Sequence, residues 1–188
     1  DQCTGLRRLL VQGWDTSNVK SMSYMFSKCN RFEGVDLSGF SAQSLQTADR
    51  MFLCCSALLA VELIGFYSPN LVDMGQMFYQ CISLEKIVWP QIVTEKVIIM
   101  RGLFCNCWAL KEIDLSRFNT SRVTDMAIMF RGCRLVESLD VEKFDTFNVT
   151  TMEDMFNDCE SLEFLNLANF QTQNVRNMDR MFSNCKYL

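Results

Sequence analysis

One interval governs this chain. Phe26, Phe52, Phe78, Phe104, Phe130, Phe156 and Phe182 recur every 26 residues, and Cys29, Cys55, Cys81, Cys107, Cys133, Cys159 and Cys185 keep the same phase, with Cys3 extending the series backwards. Met25, Met51, Met77, Met129, Met155 and Met181 form a third column, with Leu103 in its fourth place. A fourth column is aromatic at Trp14, Phe40, Phe66, Phe118, Phe144 and Phe170, with Ile92 between. No insertion breaks the phase across about seven repeats. A unit of this length cannot bury its apolar face alone, so the chain must stack its units into one continuous core.

Each unit has two halves. One reads Leu-x-x-Leu-x-Leu, as in Leu110, Ile113 and Leu115, or Leu162, Leu165 and Leu167. Its period-2 close predicts a short strand with alternate side chains inward. The other half reads Val-x-x-Met-x-x-Met-Phe-x-x-Cys, as in Val123, Met126, Met129, Phe130 and Cys133. Offsets of 3, 6, 7 and 10 fit one stripe of a helix and predict one. Thr16, Ser68, Thr94, Thr120, Thr146 and Thr172 precede it in one column, the expected N-caps, with Pro69 at a first helical position and Ala42 the exception. The expected fold is a solenoid of the α/β class, with about seven strand–helix repeats, a concave parallel sheet and convex short helices. Residues 1–188 read as a single solenoid, expected to be a segment of a longer chain without its terminal caps.

The strand half fits the leucine-rich-repeat consensus, with Phe where many members place Asn. The segment Trp14-Asp15-Thr16-Ser17-Asn18-Val19, with Met22, Met25-Phe26 and Cys29, resembles the repeat of the BspA-type leucine-rich-repeat surface proteins. Phe118 to Phe130 and Phe144 to Phe156 match that unit well, and the resemblance covers essentially the whole chain. It implies a surface protein or lipoprotein, located at the cell surface or secreted, that binds proteins or host surfaces in adhesion.

The fourth repeat departs from the pattern. Trp89 replaces the inward Leu, Pro90 follows and Leu103 replaces Met. Bulky apolar replacements should keep the unit in place with altered packing. Pro90 lacks an N–H, so the strand there should be short or frayed.

Composition narrows the function. The chain has no histidine, which excludes Ser-His-Asp and Cys-His nucleophiles and His-ligated zinc. With 18 basic and 22 acidic residues its net charge is −4, which suits no phosphate backbone, so nucleic acid is not expected as a partner. There is no phosphate-cradling glycine loop, and no apolar run of membrane-spanning length. No catalysis, no cofactor, no metal and no membrane insertion by this segment are expected. Eight of ten cysteines sit in one column and read as small core hydrophobes, while Cys54 and Cys105 lie off it as candidate exposed thiols. Most of the 12 methionines read as core packing in the same way. Asn119-Thr120-Ser121 and Asn148-Val149-Thr150 are glycosylation sequons at near-chance frequency.

The concave face remains. Its outward row reads Leu10, Asp36, Glu62, Val88, Asp114, Asp140, Asn166, with Glu33, Glu85, Glu112, Glu137 and Glu163 in neighbouring columns. Asp36, Glu62, Asp114 and Asp140 make it acidic, while Leu59, Ile64, Val88 and Pro90 place an apolar island within a charged rim. That combination predicts a protein partner of basic character, steered by the rim and held at the island. Two alternatives stand beside it: a structural spacer, and an intracellular interaction scaffold in which unpaired thiols would stay reduced. If the concave face is not used, exposed Ile98 and Ile99 on the other side are the next candidates.

Overall fold

The computed structural model describes residues 3, 5–11 and 13–188. Four three-residue strands, β1 (Arg8–Leu10), β2 (Gly34–Asp36), β3 (Ala60–Glu62) and β4 (Lys86–Val88), form one parallel sheet in chain order. Leu9 pairs with Val35, Asp36 with Glu62 and Val61 with Ile87. Each partner lies 26 residues on, so one solenoid turn corresponds to one sequence unit. A second parallel row of single bridges runs Ser21, Thr47, Asp73, Ile99, Asp125, Thr151, Asn177 at the same interval. Side chains alternate as the strand pattern predicts: Val61 and Leu63 are buried, Glu62 between them is exposed.

The helices do not form. Among the described residues there is no helix, and the segment expected to be helical is a chain of tight turns. Two columns of it adopt left-handed backbone. One holds Tyr24, Arg50, Gln76, Gly102, Ile128, Asp154 and Arg180; the other holds Lys28, Cys54, Gln80, Asn106, Gly132, Asp158 and Asn184, all with φ between 51° and 70°. A left-handed residue every four positions forbids a right-handed helix. It rotates alternate N–H groups onto the solenoid axis instead. Met126, Ile128, Phe130 and Gly132 donate to the carbonyls of Thr151, Glu153, Met155 and Asn157, one turn on, at 2.7–3.1 Å. The intervening amides close three-residue turns, as Met129 N–H to Met126 C=O. Offsets of 3, 6, 7 and 10 fit this coil as well as a helix, so the apolar stripe is buried as expected by a different backbone.

The threonine column changes meaning accordingly. Its hydroxyls are not helix caps; they tie consecutive turns. Thr94 Oγ1 donates to Asn119 C=O at 2.9 Å and accepts from Asn119 N–H at 2.7 Å; Thr120 donates to Asp145 C=O at 2.9 Å and Thr146 to Gln171 C=O at 3.1 Å. These threonines are buried. Other corners close locally: the carboxylates of Asp36, Asp73 and Asp125 accept from the N–H two residues on, at 2.9 Å each.

The core is a column of rings and thiols. Phe26 to Phe182 stack with centroids 5.3–6.2 Å apart and planes within 16° of parallel. From Cys55 to Cys185 each ladder thiol donates to the carbonyl of the preceding turn's phenylalanine, as Cys81 to Phe52 at 3.1 Å and Cys159 to Phe130 at 3.2 Å. Cysteine fits because it packs as a small hydrophobe yet carries a weak donor.

At the fourth unit Trp89 is buried, as expected, and it alters the stack. Its ring lies 6.1 Å from Phe78, 5.7 Å from Phe104 and 5.1 Å from Phe118, and the Phe78–Phe104 gap is the widest of the column at 6.2 Å. Its Nε1–H takes the Asp114 carbonyl at 2.9 Å. Strand β4 is as long as its neighbours, so Pro90 does not shorten it. The sheet stops after it, where the indole N–H takes the Asp114 carbonyl that the Trp89 amide would engage by analogy with Leu63 N–H to Val88 C=O.

Phe130 is fully buried between Phe104 and Phe156, at 5.7 Å from each. Phe130→Ala should therefore destabilise by about 3–5 kcal/mol. Because turns rely on neighbours, the urea midpoint should fall for the whole chain in one transition. An unchanged midpoint would show that the ring column does not hold the turns together.

Candidate partner-binding face

The outward row exists as predicted through β4: Leu10, Asp36, Glu62 and Val88 are successive register partners. Asp36, Glu62, Asp114 and Asp140 are exposed, whereas Val88 is half-buried. Asp114 and Asp36 each hold a following serine N–H, from Ser116 at 3.0 Å and Ser38 at 2.9 Å. Hydrogen bonding from the side chains and then the N–H groups of Ser116 and Ser38 lowers the carboxyl pKa values of Asp114 and Asp36. Half of each such carboxylate is thus engaged in a turn, and the remainder faces solvent.

The eight predicted residues do not form one patch. Asp36, Leu59 and Glu62 line a shallow depression of about 400 Å³ with Arg8 and Leu10. Asp114 and Asp140 line two adjoining grooves further along the face, of about 570 and 430 Å³. Ile64 and Pro90 are exposed, but line none of these depressions, nor does Val88. Of the expected island of Leu59, Ile64, Val88 and Pro90, only Leu59 lines one of these depressions.

The apolar floor lies one turn further on. Ile87, Ala109 and Leu135 line the first groove, and Ile113 and Leu135 the second. Leu135 is 46% exposed. The sequence holds a signal for it: its column reads Arg31, Ala57, Ser83, Ala109, Leu135, Ser161, Tyr187, so Leu135 is the large residue among the small ones between the two ends. Around this floor stand Glu85, Glu112, Asp114, Glu137 and Asp140, against Lys86 and Lys111.

The grooves mark a break in the axial ladder. Along one row, Glu33 N–H donates to Arg7 C=O, Leu59 to Glu33 and Glu85 to Leu59, at 2.9–3.2 Å. Lys111 and Glu137 N–H have no such partner among the described residues, and the row resumes only with Glu163 to Glu137 at 3.0 Å. On the other side of the solenoid the ladder stays closed, with Thr124 N–H to Ile98 C=O and Thr150 to Thr124 at 2.9 Å. The turns splay on the strand side alone.

That other side carries Ile98 and Ile99, exposed as expected. It also carries a buried Asp154 gripped by the Arg180 guanidinium, at 2.8 and 2.9 Å. Among the described residues no group of three or more His, Cys, Asp or Glu is placed to hold a metal. Among the described residues no helix is long and apolar enough to cross a membrane.

A parallel ladder with inward leucines at one unit per turn is a leucine-rich-repeat solenoid-like fold. The chain belongs to the family described as "Mycoplasma protein of unknown function, DUF285", whose model matches residues 2–89 and 72–188. Among solved structures it is similar to a leucine-rich-repeat protein of T. pallidum (18% identity, 84% of this chain and 61% of that one, TM-score 0.48). It is similar to one from Bacteroides ovatus (18% identity, 99% and 55%, TM-score 0.46). A Listeria monocytogenes internalin also matches (12% identity, 87% and 48%, TM-score 0.38). The chain thus spans less than two thirds of the length of each. No curated protein matches it.

The thiols differ from expectation in one respect. Cys54 is half-buried and donates to Gln80 Oε1 at 3.1 Å, but Cys105 is 1% exposed, and burial pushes its pKa up to about 12. It lies under the coil, between the two left-handed columns. Cys3 is exposed and Cys185 half-buried. In timed alkylation read by mass spectrometry, Cys3 should label first, then Cys54 and Cys185, with Cys81, Cys105, Cys107 and Cys133 at least tenfold slower. Early labelling of Cys105, or a disulfide among the ladder thiols, would contradict this arrangement.

Proposed function

We propose that this chain is a non-catalytic protein-binding module whose strand face receives a protein partner of basic character. Its setting, by the BspA-type resemblance, is a cell-surface or secreted protein acting in adhesion. The observation that carries the reading is the splayed strand side: an apolar floor at Ile87, Ala109, Ile113 and Leu135, ringed by five carboxylates and two lysines. Interface centres desolvate apolar groups while rim charges govern encounter. The absence of histidine from the sequence gives no support to a histidine-based catalytic reading. A stiff spacer is the second reading, favoured by the unbroken bridge row from Ser21 to Asn177. A spacer needs no open groove.

A photo-crosslinking residue placed singly at Leu135, Glu62 and Ile98 separates these readings. The partner should be captured from the strand-face positions and not from Ile98. With that partner in hand, Asp114→Lys with Asp140→Lys should slow association about tenfold at low salt and flatten its salt dependence, with little change in dissociation. Leu135→Asp should mainly speed dissociation. Capture from Ile98 alone moves the site to the opposite side, and no capture at any position favours the spacer.

A further inference from the structure

We infer that the double groove between residues 85–87, 109–114 and 135–140 receives an extended segment of the partner that carries arginine. This rests on the protein-binding reading above and names the chemistry of the segment. Three independent features of the groove converge on it.

The first is the broken ladder. Glu85 and Lys111 carbonyls, which the regular row would engage with the amides of Lys111 and Glu137, accept no hydrogen bond among the described residues. In parallel strands these groups point along the axis toward the neighbouring turn, which here means into the gap. Unpaired acceptors call for a donor-rich ligand. Guanidinium carries five N–H donors in a planar fork and no acceptor, so it can engage a carbonyl and a carboxylate together.

The second is charge. Glu85, Glu112, Asp114, Glu137 and Asp140 line the trough with Lys86 and Lys111, and Arg117 lies near Asp114, so carboxylates outnumber cations. An anionic ligand, whether phosphate, nucleic acid or an acidic lipid surface, would meet net repulsion. The separate depression sets Glu33, Asp36 and Glu62 against Arg8, one carboxylate row without the trough's open carbonyls.

The third is shape. The two grooves share Lys111, Glu112 and Leu135, so they form one trough across three turns. At about 4.8 Å per turn that trough is about 10 Å long, the reach of about three extended residues. No aromatic ring lines it to stack a sugar or a base. Apolar side chains alternating with arginine would meet Ile87, Ile113 and Leu135 while the guanidinium reaches the free carbonyls.

The test uses the chain as it stands with three acetylated, amidated pentapeptides: Leu-Arg-Leu-Arg-Leu, its citrulline counterpart and its glutamate counterpart. Binding is followed by amide chemical shifts. The arginine peptide should shift Glu85, Lys111, Glu112 and Leu135, and citrulline, which keeps the shape but removes the charge, should bind at least tenfold more weakly. Glu112→Lys with Glu137→Lys should cost at least tenfold, and Leu135→Ser at least fivefold. Glu95→Lys, exposed and away from the strand-face depressions, should change affinity less than twofold. Equal binding of the citrulline peptide, or equal loss from Glu95→Lys, would overturn the inference as unspecific attraction. So would absence of binding by the arginine peptide. Crosslinking of a partner through Leu135 would still stand in that case, so the two readings fail separately.

Discussion

Everything in this molecule depends on one hydrogen-bonding decision: alternate amides of the turn-rich half donate along the solenoid axis. Met126, Ile128, Phe130 and Gly132 each reach the next turn, and their equivalents do the same along the chain. Doing so requires a left-handed residue at two places per turn, a conformation costing of order 1 kcal/mol or more for residues such as Ile128 or Arg50. The axial bonds offset that strain, because each also removes a backbone group from an otherwise dry interior. Turn spacing is then set by backbone bonds of 2.6–3.2 Å. At that spacing phenylalanines must stack, thiols reach the preceding phenylalanine carbonyl, and threonine hydroxyls meet the next corner.

The same rule explains the site. Where axial bonding is uninterrupted the surface is a regular ridge with nothing to grip. Trp89 is larger than Leu63 and Leu115, which hold its place in adjoining turns, and its indole N–H takes the Asp114 carbonyl. The stack widens and the strand side opens, while bonds such as Thr124 N–H to Ile98 C=O keep the far side shut. A groove with unpaired backbone groups is the consequence.

Much of this was legible in the sequence. The 26-residue phase, the phenylalanine, cysteine and methionine core and the outward Asp36–Glu62–Asp114–Asp140 row all follow from spacing. The backbone of the second half was not, because apolar offsets of 3, 6, 7 and 10 recur identically in a helix and in this coil. The left-handed columns hide as well: Gly102, Gly132 and Asn106 suit them, but Ile128, Arg50 and Gln76 do not advertise a positive φ. A hydroxyl column reads the same for a helix cap as for a tie between turns. Cys105 looked exposed because it lies off the ladder, yet the coil buries two columns there. The apolar floor lies one turn beyond the expected island, at Ile87, Ala109, Ile113 and Leu135, which no single column reveals.

Native-state amide hydrogen exchange, followed by NMR along the one row that contains both intact and broken axial bonds, tests this account most directly. Leu59, Glu85 and Glu163 N–H donate to the neighbouring turn, and Lys111 and Glu137 do not. The account predicts slow exchange at the first three and exchange at least a hundredfold faster at Lys111 and Glu137, with Ile128 and Phe130 on the closed side protected. Uniform protection along the row would contradict it, because the turns would then be evenly bonded and the groove closed.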